Sequence, residues 1–439
     1  MNITSSYTIE ILKANHIFDA TTKIYRNAIS YCTERINSKW EEISLIEDVK
    51  RRFNYAEKLL HRTKSNINPC FDFDKQFPKF PSYLRRDVIQ RSIGIVKSYR
   101  TNLTNWEQND RKGASPKLGI DHKLYPCFYN KQMYMKSEDP YVVYLKLYRN
   151  NDWVWVPVSL CHTDIKYLQK YWSLVTPSAP TLEKRYGKYY LRFAFKESVE
   201  LNKTAVNNQT ICSVDLGLNT DAVCSIMRSD GTILARKFIN FPSEKDHLYT
   251  VLNRIKKFQR KHSSKNVTSF WAYARRLNDE LAKKIANEIT SFACENEAHV
   301  IVFEHLDFKG KRKGSKKQRL HMWRKNGIQT LVEHKAHRCG IRISRICAWG
   351  TSRLAFDGSG PLTRDENNHA LATFSSGKRY NCDLSASYNI GARYFIRELL
   401  KPVSATKRSS LEAKVPPATR RTLSTLLELN ALLKVKKAA

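Results

Sequence analysis

With 439 residues, the chain is long enough for two to four domains with cores of their own. Its 76 Lys and Arg against 41 Asp and Glu leave a formal charge of +35, a self-repulsion tolerable when a polyanion neutralises it, so a long phosphate backbone is the expected partner. Ten cysteines form no Cys-x-x-Cys pair, no apolar leader opens the chain and charge interrupts every apolar stretch, which excludes a disulfide framework and a membrane span and points to a soluble cytoplasmic protein associated with the nucleoid.

In chain order, Ser6–Leu12 alternates as a short strand, and Ala20–Ile36 takes helical spacing through Ile24, Ala28, Tyr31 and Ile36. A second helix is expected over Tyr83–Trp106, with Val88, Ile95, Val96, Tyr99 and Leu103 as its apolar stripe. Arg85, Arg86, Arg91, Lys97 and Arg100 lie off that stripe and either grip a duplex or form a solvated face. Asn109–Leu124 reads as a linker. The period then changes to two over Tyr141–Arg149, Asp152–Leu160 and Lys188–Phe195, with turns at Asn150-Asn151 and Tyr186-Gly187, so a small β-barrel or antiparallel sheet is expected. Trp153, Trp155, Tyr189 and Tyr190 are either core or stacking platforms for bases, core being the commoner fate of strand aromatics.

After a polar crossing at Glu197–Gln209, strands are expected over Thr210–Leu216, Asp221–Met227 and Thr232–Phe241, the last two joined by a Ser229-Asp230-Gly231 turn. A strand, a hairpin and then helices open an RNase H-like α/β fold, which by itself does not give a function. Glu244–Glu297 is helical, with Leu277, Leu281, Ile285 and Ile289 on one line, and Arg254, Lys257, Arg260 and Lys261 form a basic face for a nucleic acid backbone. The densest basic run holds Lys311, Arg312, Lys313, Lys316, Lys317, Arg319 and Arg324 among glycines and reads as a mobile lid guiding a single strand. Leu331–Arg338 is a further helix and Ile341–Cys347 a further strand. Past Leu400 the basic tail resumes apolar spacing at Leu423–Lys437, compatible with a docked helix or partial disorder.

Three acids stand at the edges of these elements. Asp215 closes the apolar run Ile211–Leu218, with Gly217 after it leaving room for a ligand backbone to approach. Glu304 follows the buried strand His299–Phe303, and Asp383 opens an apolar-periodic helix running through Tyr394 and Ile396. Carboxylates brought together repel, so such a cluster persists when cations neutralise it, and oxygen donors suit two Mg2+ or Mn2+ ions acting on a phosphodiester.

The segments Val214-Asp215-Leu216-Gly217-Leu218, Val302-Phe303-Glu304-His305-Leu306 and Asp383-Leu384-Ser385-Ala386-Ser387-Tyr388-Asn389-Ile390 resemble, in order and spacing, the three RuvC motifs of the TnpB family of transposon-encoded RNA-guided nucleases, from which type V CRISPR effectors descend. The resemblance covers about Gln209–Leu400. Ser385 and Ser387 depart from it, since members usually carry Asn and Ala there. It implies α/β plus α and β lobes. Residues 1–15 give the first strand of a wedge-type β-barrel, 16–125 a helical recognition insertion, and 126–205 the rest of the wedge. Residues 206–400 form an RNase H-like (RuvC) domain with a basic lid at 309–325, and 401–439 form a basic tail.

At 351–382 the resemblance implies a zinc ribbon, here degenerate. Ala355 and Gly358 stand where two ligands would be, and Phe374–Lys378 offers no thiol for a second pair. Cys339, Cys347, His369 and Cys382 are the remaining donors, so a zinc-free hairpin loop is expected from about Phe356 to Tyr380.

The expected function is RNA-guided DNA cleavage. One chain would wrap one guide RNA, read a short flanking motif in double-stranded target DNA and cut with Asp215, Glu304 and Asp383. Two alternatives stand beside it. One is a guided repressor that binds without cutting, although all three acids are present. The other is a DNA transposase, which usually orders its acids Asp, Asp, Glu, whereas this chain runs Asp, Glu, Asp.

Overall fold

The computed structural model describes the whole chain except residues 14–15, 65, 174, 262–266, 306–323, 403–413 and 439. The chain divides into two compact units, residues 2–197 and residues 198–439 with Met1.

The first unit runs β1 (Asn2–Glu10), α1 (His16–Ser38), α2 (Trp40–Ser44), α3 (Val49–Leu60), α4 (Phe73–Gln76), α5 (Ser82–Gln108), β2 (Tyr134–Lys136), β3 (Val142–Arg149), β4 (Asp152–Ser159), α6 (His162–Trp172), β5 (Thr181–Arg185) and β6 (Lys188–Ser198). Tyr25, Ala28, Ile29, Cys32 and Ile36 bury one face of α1, and Leu84, Val88, Ile89 and Val96 bury one face of α5. The two helices are tied by the Tyr25 hydroxyl, which donates to Asp87 at 2.5 Å, and by Ser92, which donates to the Ile29 carbonyl at 3.2 Å.

Most of the cations expected to grip a duplex or face solvent on α5 instead hold this unit together. Arg85 is buried against Asp74, Arg91 pairs with Asp87 at 2.9 Å, and Arg100 donates to the Asn37 side chain at 2.9 Å. The strand aromatics divide: Trp153 and Tyr189 are core, while Trp155 is exposed.

The strands form two sheets, β1-β6-β5 and β2-β3-β4, rather than one continuously bonded barrel. Isolated bridges join Ile11 to Leu160, just past β1 and β4, and Cys127, ahead of β2, to Thr181 of β5. Prolines limit the second seam: the carbonyls of Pro126 and Pro180 accept from Leu182 and Phe128 at 2.9 and 2.7 Å, but neither ring has an N–H to extend the ladder. The β3–β4 hairpin turns at Asn150 and Asn151, both with positive φ (50° and 59°), the backbone of a two-residue turn that matches strand twist.

The second unit runs β7 (Thr210–Leu216), β8 (Ala222–Arg228), β9 (Ile233–Ile239), α7 (Pro242–Lys261), α8 (Thr268–Glu295), β10 (Val300–His305), α9 (Lys325–Arg338), β11 (Arg342–Cys347), β12 (Thr363–Arg364), β13 (Leu371–Thr373), β14 (Arg379–Asn381), α10 (Cys382–Leu400) and α11 (Leu423–Ala438). Its five-stranded sheet has the order β11-β10-β7-β8-β9. β10 lies parallel to both neighbours, while β7, β8 and β9 form an antiparallel meander. This is a mixed α/β sheet of the RNase H-like kind.

Strand alternation divides the sheet into two faces. Cys212, Val214 and Leu216 of β7 and Ile301 and Phe303 of β10 pack with α8 and α9. Ile211 of β7 and Val300 and Val302 of β10 pack with α10 and α11 on the other face. Leu426 and Leu429 of α11 are fully buried there, so the carboxyl-terminal segment is a docked helix.

Gly391 lets α10 sit this low. A Cβ at that position would lie 2.9 Å from the Met227 sulfur and 3.2 Å from Ser213 Oγ. The interval 356–381 is a three-stranded antiparallel sheet, β12-β13-β14, with more regular structure than the loop expected there.

Candidate active site

The register of β7 and β10 brings the first two acids together. Val300 lies beside Ile211 and Phe303 beside Val214. One residue further, the same register sets Glu304 level with Asp215 at the carboxyl ends of two parallel strands. Both acids follow residues of the α8–α9 face, so alternation turns them to the α10 face. Asp383 arrives in the first turn of α10, behind Asn381, whose side chain accepts from the Leu384 N–H at 2.9 Å and caps the helix. A helix amino terminus favours a carboxylate there.

Electrostatics registers the convergence. Burial pushes the Asp215 carboxyl well above its ordinary value, the negative charges of Glu304 and Asp383 add to that, and Arg364 of β12 pulls the other way. Burial also raises Glu304, against two opposing influences, a hydrogen bond from Thr351 and the positive charge of Arg393. The Thr351 hydroxyl donates to Glu304 Oε1, and the Glu304 carbonyl accepts from Gln329 Nε2 at 3.0 Å. Next to Asp383, the Cys382 thiol is pushed up to about 11, mainly by burial.

Three supporting residues were not singled out as such from the sequence, although Asn389 lies within the third motif. Thr351 lies on the turn after β11. Asn389 of α10 is fully buried and holds that turn, donating to the carbonyls of Thr351 and Leu354 at 3.1 and 2.9 Å while accepting from the Leu423 N–H at 3.2 Å. Arg393, one helical turn further, donates to the carbonyls of Cys347, Trp349 and Thr419, each at 2.8 Å, and of Arg421 at 3.0 Å. Their partners lie 26 to 46 residues away, beyond the reach of periodicity or local spacing.

The two serines that depart from the motif are accommodated. Ser387 Oγ lies 2.5 Å from Ser225 Oγ of β8, and buried Ser385 faces the Leu354 carbonyl at 3.5 Å. Gly217 has a role within its own turn. A Cβ there would lie 2.5 Å from the Thr220 carbonyl oxygen, so the glycine admits the chain's own turn.

The basic candidates are distributed unevenly. Arg254, Lys257, Arg260 and Lys261 are exposed on α7, opposite buried Leu248, Val251, Leu252 and Ile255. Arg324 is ion-paired with Asp279. Lys311, Arg312, Lys313, Lys316, Lys317 and Arg319 lie outside the described residues.

The interval 351–382, where a degenerate zinc ribbon is expected, is packed with apolar groups. Ala355 is fully buried, and a Cβ on Gly358 would lie 3.0 Å from Ser424. Cys382 directs its thiol to the His369 carbonyl at 3.3 Å. Aromatic rings fill the interval instead, with Phe356 in edge contact with Phe374, Tyr380 and Tyr388 at centroid distances of 5.5, 5.1 and 5.3 Å.

Comparison with known proteins gives this geometry a context. The Cas12f1–sgRNA–target DNA complex aligns over 85% of this chain and 81% of its own, at 15% identity and a TM-score of 0.52. The mini-RNA-guided endonuclease CRISPR-Cas_phi3 aligns over 89% of this chain and 92% of its own, at 10% identity and a TM-score of 0.51. The chain shares the fold of these two proteins. At such identities the likeness is one of fold. The Aq_aa04 family model matches residues 5–149, and no curated protein matches. Among the described residues no helix is long and apolar enough to cross a membrane.

Proposed function

We propose that the chain is an RNA-guided DNA endonuclease that cuts at a single site built from Asp215, Glu304 and Asp383. The observation that carries this reading is the register of β7 and β10, which sets Asp215 and Glu304 level at the carboxyl ends of two parallel strands, with Asp383 in the first turn of the helix packed on that face and the charges of Glu304 and Asp383 adding to the rise of Asp215. Carboxylates gathered against their own repulsion suit hard cations, so these residues would hold Mg2+ or Mn2+. Two such ions, when bound, activate a water and stabilise the leaving oxygen of an in-line displacement.

The chain's own contribution is positioning and charge. β7 and β10 fix Asp215 and Glu304 side by side, and the amino terminus of α10 presents Asp383 to them. Thr351 and Arg393 both favour the ionised form of Glu304, the form that binds a cation. Thr351 engages Oε1 of that carboxylate.

Specificity would come from a guide RNA, as the sgRNA and target DNA of the Cas12f1 neighbour suggest. Residues 16–125 would hold the guide–target duplex, residues 1–15 and 126–205 would act as the wedge, and the 309–325 segment would guide a single strand to the acids. One chain on one guide in the cytoplasm, at the nucleoid, is the expected assembly, with relationship to the TnpB family.

The test is to purify the protein from its native locus, sequence the RNA that accompanies it, and incubate the complex with matching and non-matching DNA in Mg2+. Cutting of matching DNA alone supports the reading, and the source of the RNA distinguishes a transposon end from a CRISPR array. Equal cutting of both DNAs contradicts it.

Binding of matching DNA in Mg2+ without cutting would instead mark a guided repressor with a silent triad.

A further inference from the structure

The turn between β11 and Thr351 carries a feature that holding Glu304 does not require. Trp349 leaves 71% of its surface exposed, and among the described residues no ring or cation partners its indole. Its backbone, by contrast, is fixed. Nη1 of buried Arg393 donates to the carbonyls of both Cys347 and Trp349 at 2.8 Å. Gly350 then turns the chain with φ +76°, and a Cβ there would lie 3.1 Å from the Thr419 carbonyl. Two residues past the indole, Thr351 bonds Glu304.

The same turn supplies a cation. Arg353 is exposed, and among the described residues its guanidinium has no partner. A large apolar ring left in water four residues before an exposed arginine on the same turn matches the two parts of a single-stranded nucleotide, a base face and a phosphate. A base paired inside a duplex has both faces stacked already, so this arrangement suits an unpaired one.

We propose that Trp349 is a stacking platform for an unpaired base of the DNA strand presented to Asp215, Glu304 and Asp383, with Arg353 on that strand's phosphate. The inference rests on the nuclease reading for the identity of the strand. The stacking itself is measured without cutting.

The experiment uses the full chain carrying Asp215→Ala, in chelator and at about 0.3 M salt, where most phosphate contacts are screened. The probes are a 20-nucleotide oligo(dT) and a DNA duplex of the same length. Trp349→Ala is expected to weaken oligo(dT) binding roughly tenfold, within the range for loss of one base stack, and to leave duplex binding unchanged. Trp349→Phe is expected to restore most of the loss. Binding of oligo(dT) by the Ala variant as tight as the parent's overturns the proposal. So does an equal loss for oligo(dT) and duplex that Phe does not repair, because that pattern marks a structural role. Failure of the wild-type complex to cut matching DNA would count against the nuclease reading alone.

Discussion

Thr351 donates its hydroxyl to Glu304 where only 2% of the threonine and 7% of the glutamate is exposed. A carboxylate buried to this degree needs a donor to remain charged, and among the described residues Thr351 is the side chain that donates to it.

Replacing that threonine with valine keeps the shape and removes the donor. The Glu304 carboxyl then rises further, so at a given pH less of it is ionised. The acidic limb of the cleavage profile is expected to shift to higher pH, with a loss of roughly ten- to a hundredfold below the limb and little change well above it. A pH–rate profile of Thr351→Val beside the parent measures this, and a loss independent of pH would count against it.

Asp215 and Glu304 are both raised in the folded chain. Their contribution to stability is therefore fully present below the unfolded carboxylate range, near pH 4, and is lost as pH rises through the folded values. In chelator at neutral pH, Asp215→Asn is expected to melt a few degrees above the parent, and the gap should close as the pH falls to about 4. Added Mg2+ should stabilise the parent more than the variant. Thermal melts across pH, with and without Mg2+, check both signs.

Gly217→Ala places a methyl against backbone rather than against a movable side chain. The Thr220 carbonyl must shift, and Asp215 lies two residues away. A loss of about 1–3 kcal/mol in stability is expected, with cutting reduced more than guide binding. Denaturant titration and cleavage rates on one preparation separate the two effects.

Phe374 is nearly buried among the rings that occupy the ribbon position. Phe374→Ala should destabilise the chain by about 3–5 kcal/mol, whereas a zinc chelator should leave its melting temperature unchanged. Stoichiometric zinc by elemental analysis after chelator-free purification would contradict the second half.

How legible this was in the sequence follows the range of the interactions. The strands that end in Asp215 and Glu304 were visible because burial on both faces makes continuous apolar runs, and an acid at the end of such a run stands out. Asp383 was visible because helical periodicity begins at it. Helix α6 and strand β5 were not singled out: α6 buries only Ile165, and β5 alternates weakly. The role of Arg85 followed from an acid on another element, which periodicity does not reveal, whereas the Arg91 pair with Asp87 lies at i,i+4 spacing on one helix and was open to the sequence. The clamp made by Asn389 and Arg393 was hidden because its acceptors are backbone carbonyls, which have no residue type. Of the barrel or antiparallel sheet expected, the described strands show two antiparallel sheets, and Pro126 and Pro180 limit the pairing at the Cys127–Thr181 bridge.

The most direct test of the central claim compares the parent with Asp215→Ala, each loaded with the copurified RNA and given matching DNA in Mg2+. The account predicts that the Ala variant retains the RNA and binds the target, while cutting falls at least a thousandfold, about 4 kcal/mol of transition-state stabilisation. Cutting at the parent's rate by the Ala variant would contradict it.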